Sequence, residues 1–232
     1  INSPGVYENL IIDGGWAERD LVRIKADNVT LRNCTIRNSK RDGIEVYAKN
    51  VVIERCKIHH LLAGTFKDQF DAHGITGQPH GLTVRDCEIS YVSGDGLQFD
   101  PARNPWEDVL IEHCLLWTGP LPEDAGGFKK GDHPGENAVD TKQRAKNPRS
   151  NLTIRNCVLH GWGNGQISNG AALNMKDHVQ ALIEGCVLYN NDICLRLRGG
   201  TGQYGGAKVS VRECAMYDSK TGIRSEDKIE DL

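Results

Sequence analysis

The chain has 232 residues, 38% hydrophobic and 25% charged, with a net charge of -3. That balance excludes an overall pull toward nucleic acid or anionic membrane, so an anionic substrate would have to be held by a local basic patch. With 26 glycines and 2 methionines the chain suits many tight turns and few long helices, and no apolar run approaches the ~20 residues of a membrane span.

Seven of the eight cysteines fall in one short pattern. In chain order the segments are LRNCTI (31–36), IERCKI (53–58), VRDCEI (84–89), IEHCLL (111–116), IRNCVL (154–159), IEGCVL (183–188) and VRECAM (211–216). Each reads aliphatic, Arg or Glu, variable, Cys, variable, then Ile, Leu or Met. Cys34, Cys56, Cys87, Cys114, Cys157, Cys186 and Cys214 are separated by 22, 31, 27, 43, 29 and 28 residues, and self-similarity at such a period marks a solenoid.

Alternating runs such as NVTL, NVVI, GLTV, DVLI, NLTI and KVSV precede most of these segments, and period-2 alternation of Val, Ile, Leu and Thr reads as strand. Helical periodicity is weak, and the Leu-x-x-Leu-x-Leu frame of leucine-rich repeats is absent. The sequence therefore predicts an all-β fold. It is a single-stranded, right-handed parallel β-helix of about seven coils, stacked at roughly 4.8 Å, forming one domain over the whole chain. The cysteines then form an inward ladder of small apolar side chains. Stacked parallel strands rarely give the Cβ directions that a disulfide needs.

A second strand recurs in each coil: DGIEVY (42–47), DAHGIT (71–76), GDGLQFD (94–100), ENAVDTK (136–142), GAALNMK (170–176), DICLRLR (192–198) and TGIRSED (221–227). Aligned on inward Ile44, Leu97, Val139, Leu173, Leu195 and Ile223, these strands show two outward columns. His73 is the odd member of the inward column, since its strand can be offset by one. The first outward column holds Glu45, Gln98, Asp140, Asn174, Arg196 and Arg224. The second holds Tyr47, Thr76, Asp100, Lys142, Lys176, Arg198 and Glu226. The residue before each inward one is mostly small (Gly43, Gly96, Ala138, Ala172, Cys194, Gly222), which predicts a shallow trough. Lys142, Lys176 and Arg198 on successive rungs repel one another on a bare sheet. A solvated, salt-bridged face or a cationic groove for an acidic polymer both satisfy this pattern. Asp100 and Asp140, on adjacent rungs and columns, come roughly 8 Å apart, within the window of about 6.5–9.5 Å for an inverting acid/base pair.

The 43-residue interval carries a long insertion, 118–135, whose Gly and Pro content predicts a mobile or irregular lid over the trough. Lys129, Lys130, Asp132 and His133 could reach substrate from it, or be plain solvated residues. NVT (28), NCT (33) and NLT (151) match glycosylation acceptors but sit where the repeat wants turns and strand starts. GGTGQYGG (199–206) reads as a loop between coils. Trp162 and Tyr204 could stack on sugar rings, although solitary aromatics more often pack inside. The chain begins close to its first coil and stops at IEDL. Either further coils or another subunit covers these ends, or the sequence is a fragment of a longer chain.

Taken together, the coil pattern and the segments DAHGIT, GDGLQFD, GENAVDTK, AALNMK and LRLRG resemble the pectate-lyase-like superfamily of right-handed parallel β-helix proteins. That superfamily includes polysaccharide lyases, glycoside hydrolases, esterases, epimerases and non-catalytic adhesins. The lyase branch implies that acidic side chains hold Ca²⁺ against uronate carboxylates while a basic side chain removes the C5 proton. Mapped by position, Lys142 or Lys176 is the base, and a lysine serves only if its pKa is lowered. Arg196 and Arg198 would bind substrate carboxylate, with Asn174, Gln98, His73 and His133 around it. Asp95, Asp100, Glu136 and Asp140 are the metal candidates, although the tight Asp cluster of calcium-binding pectate lyases is absent. The expected partner is an acidic polysaccharide, cleaved by β-elimination, by a protein that is secreted or periplasmic. A glycoside hydrolase using Asp100 and Asp140, or a non-catalytic glycan-binding β-helix, is the alternative.

Overall fold

Every repeat bends at the residue before its cysteine. Asn33, Arg55, Asp86, His113, Asn156, Gly185 and Glu213 adopt a left-handed backbone with φ between 51° and 62°. Gly and Asn accept that conformation readily, whereas the strands on either side hold Arg55, His113 and Glu213 in it. Immediately after the bend the cysteine turns inward. All eight cysteines are free, and all but Cys214 are buried. The sulfurs of the seven repeat cysteines each lie 3.2–3.4 Å from the carbonyl two residues back.

The computed structural model describes residues 1–101, 104–163, 166–168, 170–200 and 205–227. Three sheets of eight parallel strands run the length of the molecule, each coil contributing one strand to each. The first sheet runs from Gly5–Glu8 to Lys208–Arg212, the second from Ile11–Ala17 to Ala215–Tyr217, and the third from Val22–Ile24 to Thr221–Glu226. Among the described residues no helix is long and apolar enough to cross a membrane. There are eight coils where the cysteines count seven. In the first coil Leu10 takes the cysteine position after Asn9 (φ 59°), and Ile11–Ala17 pairs with Thr35–Ser39.

The interior is filled by inward columns of Ile, Leu and Val, nearly all fully buried. Each such side chain stabilises the fold by about 1.5–3 kcal/mol relative to leaving it in water. The "Arg or Glu" position of the repeat is an outward column on the first sheet. In register it reads Glu8, Arg32, Glu54, Arg85, Glu112, Arg155, Glu184, Arg212. The charges alternate at every step. Arg85 donates to Glu54 at 2.5 and 2.8 Å and holds its carboxyl below the usual pKa, and Arg155 meets Glu112 at 2.7 and 2.8 Å. On the second sheet the residue three past each cysteine forms a different column. Trp117, His160, Tyr189 and Tyr217 stack at centroid distances of 5.9, 4.7 and 5.2 Å.

Two sequence expectations are corrected by this packing. The small residues before the inward column do not open a trough. A Cβ on Gly43 would come 2.8 Å from the carbonyl oxygen of Gly74, and one on Gly96 would come 2.6 Å from that of Ala138. The positions are small because neighbouring coils meet there. The 118–135 insertion is not a loose lid either. Leu121 and Phe128 bury themselves against Leu62, flanked by Trp16, Phe66 and Tyr91. These two apolar anchors, invisible as a pattern in a Gly- and Pro-rich stretch, tie the segment down beside the second sheet. Trp162 is fully buried and donates to the Leu116 carbonyl at 3.1 Å, so it is packing and not a sugar platform. Tyr204 and the final IEDL lie outside the described residues.

Candidate functional site

The third sheet carries the candidate residues in one register: Val22, Ile44, Ile75, Leu97, Val139, Leu173, Leu195 and Ile223 point inward. The DAHGIT strand is offset by two residues from its expected alignment. Ile75, not His73, takes the inward place, and Thr76 joins the first outward column between Glu45 and Gln98. That column runs on through Asp140, Asn174, Arg196 and Arg224 as expected.

Two residues before the inward column lies a polar ladder that sequence reasoning missed. Asp42 Oδ1 accepts the His73 backbone N–H at 2.8 Å, and His73 Nδ1 accepts that of Asp95 at 2.9 Å. Asp95 Oδ1 accepts that of Asn137 at 3.1 Å, and Asn137 Oδ1 accepts that of Ala171 at 3.0 Å. Each side chain satisfies a backbone donor of the next coil, which would otherwise be buried unpaired. Asp95 is fully buried, and it also accepts from the Asn137 amide and from Gln98 Nε2, both at 2.7 Å. His73, with Nδ1 engaged, is left with Nε2, 3.9 Å from Asp71 Oδ2.

The lysines converge on Asp140, which is 2% exposed. Lys176 Nζ lies 3.1 Å from Asp140 Oδ1, and Lys142 Nζ lies 3.9 Å from both Asp140 and Asp100. Thr141 positions Lys176: its hydroxyl bridges the Lys176 N–H and C=O, each at 3.0 Å. Burial, then the Asp95 charge, pushes the Asp140 carboxyl up to about 8. Burial, then Asp95 and Asp71, pushes Glu136 up to about 7. Burial alone would lower the Lys142 ammonium, but the carboxylates of Asp140, Asp100, Asp95 and Asp71 outweigh it and hold the pKa raised. Lys142 is therefore kept a cation, the opposite of what a general base requires. Beside Asp140, Asn174 is 3% exposed and its Oδ1 has no hydrogen-bond partner.

The remaining candidates are dispersed. Arg196 is bound to Glu226 at 2.7 Å, and Arg198 meets Asp227 at 3.2 Å, so a substrate carboxylate must compete with both acids. His133 donates Nε2–H to the Gly161 carbonyl at 2.7 Å, and Lys129 pairs with Asp124 at 2.9 Å inside the insertion. A cavity of about 680 Å³ lies among Arg19, Arg23, Lys25 and Arg41, away from Lys176.

Two of the four carboxylates proposed for Ca²⁺, Asp95 and Asp140, are already engaged. The oxygens of Asp95 already take three donors, and those of Asp140 face two ammonium groups that a dication would have to displace. Among the described residues, one group of carboxylates converges within 4.8 Å, Asp20, Asp42 and Glu45, and it contains none of the candidates.

The family model described as a right handed beta helix region matches residues 11–116. No curated protein sequence matches the chain. Among solved structures it is similar to the alginate lyase from Paenibacillus sp. str. FPU-7, with a TM-score of 0.61 at 11% identity, over 88% of this chain and 76% of that one. It is also similar to the pectate lyase pelN from Paenibacillus sp. 0602, with a TM-score of 0.51 at 12% identity, over 87% of this chain and 63% of that one. At such identities the likeness is one of fold. The chain is a right-handed parallel β-helix repeat protein.

Proposed function

We propose that this protein binds an acidic, uronate-containing polysaccharide on the third sheet and cleaves it by β-elimination. The observation that carries the reading is the Lys176–Asp140 pair, 3.1 Å apart with Asp140 buried, next to a second lysine held as a cation. In the proposed cycle Asp140, whose carboxyl burial pushes up to about 8, serves as the acid, and Lys176 enters the reaction as the amine.

The bound uronate places its carboxylate against Lys142, whose positive charge acidifies the C5–H bond. Gln98 and the unpartnered Asn174 face its polar groups. Lys176 Nζ takes the C5 proton, the C5–H electrons form the C4–C5 double bond, and the C4–O4 bond breaks. The Asp140 carboxyl gives its proton to O4. The pair finishes as ammonium and carboxylate, and proton transfer between them restores the starting state. No metal is needed for this balance. Arg196 and Arg198 would hold carboxylates of adjoining sugars by exchange with Glu226 and Asp227.

The test is ultraviolet absorbance of the unsaturated product over a panel of uronic-acid polysaccharides, with reducing ends measured in parallel. Lys176→Gln should abolish the absorbance rise, and Lys142→Gln should lower kcat as well as raise KM. Full turnover in Lys176→Gln would overturn the assignment of the base. New reducing ends without absorbance would replace elimination by hydrolysis at Asp100 and Asp140.

A further inference from the structure

Beside the third sheet, two coils toward the N-terminus from Asp140, a short antiparallel hairpin leaves the solenoid. Gln69–Phe70 pairs with Ala63–Gly64. Phe70 is 68% exposed, more than Tyr217 or Tyr47, the other exposed rings among the described residues. It is nevertheless held in place. The buried hydroxyl of Ser93 donates to the Phe70 carbonyl at 2.7 Å and accepts the Ala63 N–H at 2.9 Å. The ring lies over Gly64, where a Cβ would come 3.0 Å from its Cδ2, and φ of +82° also favours glycine there.

The ring forms one wall of a cavity of about 320 Å³, lined also by Glu18, Lys40, Arg41 and Asp71. That volume is at the low end of the range for small-ligand sites, roughly 300–1,000 Å³. Its two cations are loosely engaged. Lys40 Nζ is 3.9 Å from Glu18 and Arg41 Nε is 3.6 Å from Asp20, so both keep donors for another anion. Asp71 connects the cavity to the candidate site, since it faces His73 at 3.9 Å and its charge acts on Glu136 and Lys142. Two coil steps, roughly 10 Å, separate the hairpin from Asp140 along the axis.

A rigid exposed ring beside two half-free cations matches one ligand chemistry: a ring-shaped molecule with an apolar C–H face and a carboxylate on its edge. We propose that this cavity is a subsite for a uronate residue of the bound glycan, with Phe70 as its stacking platform and Lys40 and Arg41 as its carboxylate donors. It rests on the acidic-glycan reading above, and extends the contact surface beyond the residues of the third sheet.

The experiment is calorimetric titration of the Lys176→Gln chain, which removes turnover, with a size series of 4-linked uronic-acid oligosaccharides. Adding Phe70→Ala should weaken binding about fivefold for oligomers long enough to reach from Asp140 to the hairpin and leave the shortest unchanged. Phe70→Trp should restore the affinity. Lys40→Ala with Arg41→Ala should weaken the same long oligomers about tenfold and flatten the salt dependence. Unchanged affinity for every length in both sets of variants would overturn the subsite while leaving the acidic-glycan reading intact. If no oligomer binds even with Phe70, Lys40 and Arg41 in place, the acidic-glycan reading fails and the subsite falls with it.

Discussion

Glu136→Gln isolates a charge that burial opposes. Burial, with Asp95 and Asp71 close by, lifts the Glu136 carboxyl from 4.5 to about 7. Between those values the native state keeps a proton that the unfolded chain has already released. This group therefore lowers stability as pH rises through that window and changes nothing below or above it. A shift of this size corresponds to about 3 kcal/mol, at about 1.4 kcal/mol per unit, and water reaching part of the side chain screens it to about 2 kcal/mol. Glutamine keeps the shape and carries no charge at any pH. Urea unfolding should give equal stability for the two chains at about pH 4, and a variant more stable by about 2 kcal/mol at about pH 8. The same difference at both pH values would show that the carboxyl titrates as it does in water and would refute the burial argument. Destabilisation at the higher pH alone would mean that a lysine holds the carboxylate.

Three further outcomes follow from the geometry. Gly96→Ala pushes a Cβ to 2.6 Å from the Ala138 carbonyl oxygen and should cost about 1–3 kcal/mol in thermal or urea unfolding. Gly222→Ala in the same column meets nothing within 4 Å and should be neutral or slightly stabilising. Cys214 is the partly exposed one of the eight free cysteines, so an aromatic disulfide reagent should titrate one thiol rapidly in the native protein and all eight only in denaturant. Treatment with a strong chelator should leave both the unfolding midpoint and any turnover unchanged, because Asp95 is taken by Asn137 and Gln98, and Asp140 by the two lysines.

What the sequence revealed of this fold was whatever repeats in one dimension. The cysteine corner, the alternating strands and the outward columns at Asp140, Asn174, Lys142 and Lys176 all follow from period alone. The first coil escaped because Leu10 fills its cysteine position. His73 was misplaced because polar residues two before the inward column look like strand members, when their work is to cap the next coil's N–H groups. A signal for that ladder was present: Asp42, His73, Asp95 and Asn137 share one offset and one kind of acceptor. The aromatic stack was also visible in principle, as a ring three residues past each of the last four repeat cysteines. Side-chain pairing was not. Nothing in the order of residues says that Arg196 meets Glu226, or that Lys142 is held by four acids rather than freed to act as a base. Those outcomes depend on distances across coils and on how much water remains between them.

The alternating Arg and Glu column on the first sheet imposes a counting rule. Remove any single interior coil, or duplicate one, and two like charges become vertical neighbours about 5 Å apart, with no partner between them. Remove or duplicate two adjacent coils, and every arginine still sits on a glutamate. The unit in which this solenoid can lengthen or shorten is thus the pair of coils, although its backbone repeats with every one.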